Sequence, residues 1–488
     1  MATCDAEAQP LLSTKPQVTP LPRAQLAIIL FLRVVEPIAY TQLFPYINAM
    51  VEELGIAEPK HVGFYSGMID SLFALTQLCT VVHWGGLSDR IGRKPVIIIG
   101  LSGVTIATVC FGLSSTLWQL LLSRALIGAL CGNVAVINSA ISDITDETNQ
   151  SQGLSFPLLS VIWYIGAIIG PFLGGMLSHP AERYPRLFGA VPLLRERPFF
   201  LPCLTSGLIT FTAILVAIFF MKETLPRLVK DRGQDIPDAS PSRTSESAVQ
   251  YPQPGPTESP SPGQVTTFGL LADRYVRRVV VMGFCMSFLL YAIESAIVIW
   301  SYTPLVLGGL QQEPTEIGAV LSILGILAIA STIIAFPYLH NRFKTVPLLT
   351  ATLAMCGVVY ASIPTVGFII RKALPPIGQE EPGPSLGMLW AFVLCIMLTH
   401  NVAVMSYAAY MLVVKESISD SRSVGALFGL VTAAICLGEG TAPAFISSLF
   451  ALSIDKQILG GNLVWLIMVC LSALGTLFSH FGLEKSAG

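Results

Sequence analysis

Apolar runs of about 20 residues, the length of sequence a bilayer-spanning helix needs, follow one another along most of this chain, separated by short polar breaks. Twelve can be marked: 25–47, 62–84, 96–115, 117–139, 154–178, 201–221, 276–303, 316–337, 345–368, 386–411, 424–450 and 460–481. Between the sixth and seventh lies a polar insert. Its stretch 231–264 holds seven prolines and six serines and has no apolar period, the composition of a disordered linker. The pattern predicts an all-α membrane protein with twelve transmembrane helices in two six-helix bundles. A cytosolic tail over 1–24 precedes a bundle over 25–221, a linker over 222–275, a second bundle over 276–481 and a tail over 482–488.

Composition agrees. Of the 488 residues, 53% are hydrophobic and 12% charged, against about 25% charged in soluble domains. A net charge of −2 offers nothing to a polyanion, so nucleic acid is excluded as a partner. The ten cysteines are scattered without a CxxC pair and read as small packing residues, with no metal implied. The first 23 residues lack the apolar segment of a cleaved signal, so the first span is expected to be its own insertion signal. With the N-terminus placed in the cytosol, 18 Lys and Arg fall on the cytosolic side and eight on the other. That asymmetry puts both termini inside.

Charge inside the apolar runs is what needs explaining. "LFLRVVEPIAY" places Arg33 and Glu36 within the first run. Each costs roughly 2.5–3.5 kcal/mol at a bilayer centre. At about 1.5 Å per residue Glu36 lies near the midplane. Arg33, Glu36 and Tyr40 share one helical face. Similar polar faces recur: Ser66, Asp70 and Gln77 in the second run; Ser287, Tyr291 and Glu294 in the seventh; Thr432, Cys436 and Glu439 in the eleventh. His400 and Asn401 lie midway along the tenth, and Arg124 lies within the fourth. Five helices with aligned polar faces predict one central cavity. Structural readings stand beside that one. Arg33 and Glu36 can neutralise each other, Arg124 can fix a helix through Glu36 or Asp70, and His400 can be a packed histidine. Glu294 and Glu439 have no cation at neighbouring helical positions. They are the better candidates for carrying a proton, Glu439 above all.

Two motifs carry more specific information. "GGLSDRIGRKP" (85–95) joins the second and third runs. Gly85, Gly86 and Gly92 are read as giving a tight turn its backbone freedom. Asp89 is expected at a helix N-terminus, and Arg90, Arg93 and Lys94 against carboxylates or lipid phosphate. "NRFKTVP" (341–347), after the eighth run, echoes its spacing and suggests duplication. "GAIIGPFLGG" (166–175) in the fifth run supplies Gly166, Gly170, Pro171, Gly174 and Gly175. Its glycines make a smooth face on which another backbone can lie close, and Pro171 removes a backbone donor.

These motifs, with Arg124 in "SRALIGALCGN" and "MKETLP" (221–226), resemble the signatures of the major facilitator superfamily, and the pattern at 166–175 resembles its antiporter branch. "WGGLSDRIGRKP", "HPAERYP" (179–185), "LPCL" (201–204) and "LRVVEPIAYTQLFPYI" are similar to the zinc-induced-facilitator-like group and its fungal relatives. The plant members carry a cysteine pair near the N-terminus where this chain has Cys4 alone, which argues against a zinc-linked role. The resemblance implies a proton-coupled exporter of a small organic compound, a drug or secondary metabolite. It would work by alternating access as a monomer, with no cofactor beyond the proton gradient and with 85–95 as a cytosolic gate.

Rival classes have less behind them. No GK dipeptide is available for a phosphate-cradling loop, and the six histidines form no HExxH pair, so neither an ATP-driven pump nor a membrane metalloenzyme is expected. An uptake transporter, a vacuolar facilitator, and a transporter-derived sensor signalling through Ser-Pro pairs in the linker remain as alternatives. The plasma membrane is favoured. "EAQPLL" (7–12) matches a sorting signal for a vacuolar route, and the sequon at Asn149 should stay unmodified on the cytosolic side.

Overall fold

In hydrocarbon every backbone polar group must be satisfied within the chain, so runs of this length become helices. The computed structural model describes residues 22–58, 61–144, 155–225, 228, 269–373, 386–417 and 424–483. The dileucine-like segment, the sequon, most of the linker with its Ser-Pro pairs, Pro226 and the C-terminal tail lie outside the described residues.

Among the described residues ten helices are long and apolar enough to cross a membrane. A pair bent between Val81 and His83 brings the number to eleven, and the fifth run forms the helix Ser155–Leu177, whose apolar stretch Val161–Leu177 is shorter. In chain order the spans are Arg23–Thr41, Val62–Ile91, Arg93–Leu113, Leu117–Leu130 continued by Asn133–Ile144, Ser155–Leu177 and Phe200–Phe220. After the linker come Arg274–Tyr302, Pro314–Ala330 continued to Arg342, Thr345–Ala373, Leu386–Glu416, Val424–Asp455 and Leu463–Leu483.

Three boundaries differ from the apolar pattern. The first run is not one helix to residue 47: it ends at Thr41, turns, and restarts as a short helix, Ile47–Glu53. The fourth is interrupted after Leu130, where Gln77 of the second span donates to the Cys131 carbonyl at 2.9 Å. The eighth carries a π turn, Ser331–Ala335. Caps set two starts. Asp273 accepts from the Tyr275 amide at 2.7 Å, and Glu313 and Glu316 form a reciprocal capping box at the eighth span.

Apolar cores form within each half. One cluster runs from Val276 to Leu483, and two others draw on residues between Leu26 and Met221. The halves meet along two seams, the second span against the eleventh and the fifth against the eighth. Both seams run from the middle of the spans to the face remote from Gly92. Ser71 Oγ accepts from the Ala444 amide at 2.8 Å, and Ser322 donates to the Ile168 carbonyl at 3.0 Å. At the remote face the Tyr302 hydroxyl donates to Glu52 at 2.5 Å, and Arg183 reaches Thr315 at 2.8 Å and Glu313 at 3.4 Å. On the other side Arg93 spends its contacts on Ser88, Asp89, Asp143 and Glu223, all in the first half.

Candidate functional site

The glycines of 166–175 decide how the fifth span sits. A Cβ at Gly166, Gly170 or Gly174 would strike the first span, at Pro37, Thr41 and the Gln42 carbonyl respectively. A Cβ at Gly175 would strike the start of the eighth, 2.6 Å from the Pro314 carbonyl, and one at Gly318 would lie 2.5 Å from the Pro171 carbonyl. The fifth span is thus packed tightly on the first span on one side and on the opposite half on the other. That brings Trp163 and Tyr164 to the centre of the molecule.

There they face a cavity lined by residues of both halves. Of the residues singled out in the sequence, Tyr40, Ser66, Asp70, Pro171, Tyr291, Glu294, His400 and Asn401 line it. Phe44, Asn48, Trp163 and Tyr164, which the polar-face argument passed over, line it too. Aromatic residues in apolar runs carry no signal that separates cavity from core.

The remaining candidates lie around it. Arg33 and Glu36 form an ion pair at 2.6 Å within one helix, and the Cys131 thiol donates to the other Glu36 oxygen at 3.1 Å. Arg124, 1% exposed, binds Asp70 at 3.1 Å and lies over the rings of Phe73 (4.6 Å) and Tyr40 (5.2 Å). Gln77 does not reach the cavity, since it braces the break in the fourth span. Glu439 is buried behind Tyr291, whose hydroxyl lies beside its carboxyl. Ser287 is likewise taken up in packing, donating to the Ile435 carbonyl at 2.9 Å. Neither Glu294 nor Glu439 has an ion-pair partner among the described residues. Tyr407, further along the tenth span, is 40% exposed.

The 85–95 segment corrects two expectations. Gly85 and Gly86 lie inside the second span and make no turn; only Gly92, with φ of 107°, takes a conformation that favours glycine. Asp89 is not at a helix N-terminus but bonds Arg93 at 2.5 Å. Glu223 of "MKETLP" takes the N-terminal place, accepting from the amides of Arg93 (2.8 Å) and Lys94 (3.2 Å). Asp143 holds the Arg93 guanidinium at 3.0 Å, and Lys94 donates to the Ile218 carbonyl at 2.8 Å. Arg90 is exposed in the last turn of the second span.

A sequence model described as Major Facilitator Superfamily matches residues 29–443. Over 94% of this chain and 89% of the relative, the sequence is 32% identical to "Major facilitator-type transporter psiT2" of Psilocybe cyanescens. It is 27% identical to "Efflux pump azaK" of Aspergillus niger, over 93% of this chain and 87% of the relative. "Protein ZINC INDUCED FACILITATOR 1" of Arabidopsis thaliana is also 27% identical, over 88% and 85%. Among solved structures, a bacterial homologue of the human lysosomal transporter Spinster, inward-facing and occupied, superposes with a TM-score of 0.66. The alignment covers 95% of this chain and 97% of that one at 15% identity, a likeness of fold.

Proposed function

The chain belongs to the major facilitator superfamily and is a multi-pass membrane transporter of small molecules, and on that premise we propose that it exports an organic compound in exchange for protons. The observation that carries this reading is the pair of carboxyls at and behind the central cavity wall, half-buried Glu294 and buried Glu439, that no cation of the chain neutralises among the described residues. A carboxyl left without an internal partner in a membrane protein is the usual mark of an ion pathway. Glu439, behind the cavity wall, is the proton carrier in this reading. Glu294, on the wall, faces the cargo.

The seams support alternating access. With the halves joined at the face remote from Gly92, cargo enters from the Gly92 side. Rocking that breaks the contacts of Tyr302 and Arg183 would open the far face. The 85–95 segment then meets the second half as the cytosolic gate, with Asp89, Arg90, Arg93 and Lys94 as its polar groups. The motif at 166–175 and the likeness to a fungal efflux pump support export through an antiport cycle. Eighteen cationic residues against eight support cytosolic termini, with the plasma membrane favoured as the site of export over the vacuolar one. The proton gradient suffices as driving force, and one chain encloses one pathway, which supports a monomer.

The test starts from metabolites retained by cells with and without the protein. The compound depleted by its presence is then followed in everted vesicles with an acidic lumen. Gradient-driven accumulation is expected for the wild type, with Glu439→Gln reduced at least about tenfold. Movement only in the opposite direction, or undiminished gradient-driven transport by the variant, overturns the reading.

A further inference from the structure

We infer that the cavity selects organic cations with an aromatic body and that Glu294 is their counter-ion; the inference rests on the transporter reading above. The charges of the lining point that way. Asp70 and Glu294 are its acidic members, and no Lys or Arg belongs to it. The arginines of the membrane interior are both engaged, Arg33 with Glu36 and Arg124 with Asp70. Asp70 is therefore matched and Glu294 is not. Glu439, within electrostatic reach of Glu294, adds to the negative field. An anionic ligand would meet this field with no fixed cation to hold it.

The hydrogen-bonding groups left open agree. Asn401 uses its amide nitrogen on the Met397 carbonyl at 3.0 Å, and its oxygen, buried, has no partner. His400 is 5% exposed, and neither ring nitrogen has a partner. Neutral imidazole offers one acceptor and one donor, an amide oxygen accepts only, and an ammonium donates three times. Together with Glu294 these residues make a set weighted toward acceptors, suited to a ligand rich in N–H groups. The exceptions are the Asn48 amide nitrogen, whose oxygen accepts from Ser66 at 2.6 Å, and the Ser447 hydroxyl, which suit a hydroxyl or carbonyl elsewhere on the ligand. Around these groups stand the rings of Tyr40, Phe44, Trp163, Tyr164 and Tyr291. Aromatic faces attract a desolvated cation and stack on an aromatic body.

Three probes of nearly equal size separate the charge states: naphthylethylamine, naphthylethanol and naphthylacetate. Their binding to the purified full-length protein in detergent is measured by calorimetry. The amine should bind at least about tenfold tighter than the alcohol, and the acid most weakly. Glu294→Gln should cost the amine at least about tenfold while the alcohol stays within about twofold, which also shows that the variant is folded. Glu294→Asp should keep the preference for the amine. Tighter binding of the acid, absence of amine binding, or an unchanged preference in Glu294→Gln overturns the inference. Binding is independent of direction and gradient. A protein that binds amines but carries them inward overturns export alone, whereas proton-driven export of a compound bound as an anion overturns this inference alone.

Discussion

The first half of the molecule sets its membrane-embedded carboxylates against cations, and the second half leaves them without. Glu36 has Arg33 and Asp70 has Arg124, each pair closed by contacts of 2.6 and 3.1 Å. Glu294 stands on the opposite wall among hydroxyls, amides and rings, and Glu439 lies behind that wall beside the Tyr291 hydroxyl. A buried pair contributes little net stability but is costly to break. A lone carboxyl has no internal cation, and in the proposed cycle its partner comes from outside, as a proton or as a cation. The first half thus supplies a fixed framework and the second a changeable one.

The strongest way to break this contrast is Arg124→Ala. It strands Asp70 among aromatic rings and should lower stability by about 3–5 kcal/mol, read as a large drop in melting temperature. Adding Asp70→Asn should recover much of the loss. If the single variant melts with the wild type, the pair is not structural. Next in size is Glu439→Gln, where function and stability should part company. Transport should fall by at least about 1.4 kcal/mol, or tenfold, with melting unchanged or raised.

Outside the membrane the same logic works at lower stakes. Glu223→Ala removes the acceptor from the start of the third span and should cost about 1 kcal/mol. Asp89→Ala, whose side chain is 64% exposed, should cost less than half of that, within the roughly 0–1 kcal/mol of surface pairs. Equal effects on melting would remove the distinction between cap and surface pair. The smallest expected effect is a pH dependence at His179. Its ring bonds Glu53 at 2.9 Å, and that hydrogen bond raises the histidine pKa above its ordinary 6.5. A raised folded pKa means the stabilisation is complete below about pH 6.5 and is lost as pH rises through the folded value. The melting difference between wild type and His179→Gln should therefore be present at acidic pH and vanish at alkaline pH. A difference that grows with pH would refute the assignment.

How much of this was legible in the sequence follows from what each signal depends on. The spans were readable because lipid demands long apolar runs. Thr41, where the first helix stops short, was not, because the turn after it is apolar as well. Polar faces located Asp70, Tyr291, Glu294, His400 and Asn401 on the right helices but gave no distance between helices. Gln77 consequently looked like cavity wall, whereas it spends its amide on the broken fourth span. Arg124 had two acidic candidates in the sequence, and only geometry chose Asp70 over Glu36. Glu223 stood in a recognised motif, but its service to a helix that begins 130 residues earlier depends on how the third and sixth spans pack.

The meeting of Gly175 with Gly318 bears on how easily the halves can part. Backbone lies on backbone there, so separation transfers few carbon atoms from one surrounding to another. At about 25 cal/mol per Å² of apolar area, such a joint opposes little resistance to opening. Larger side chains would have made it an adhesive; bare glycine leaves it a bearing.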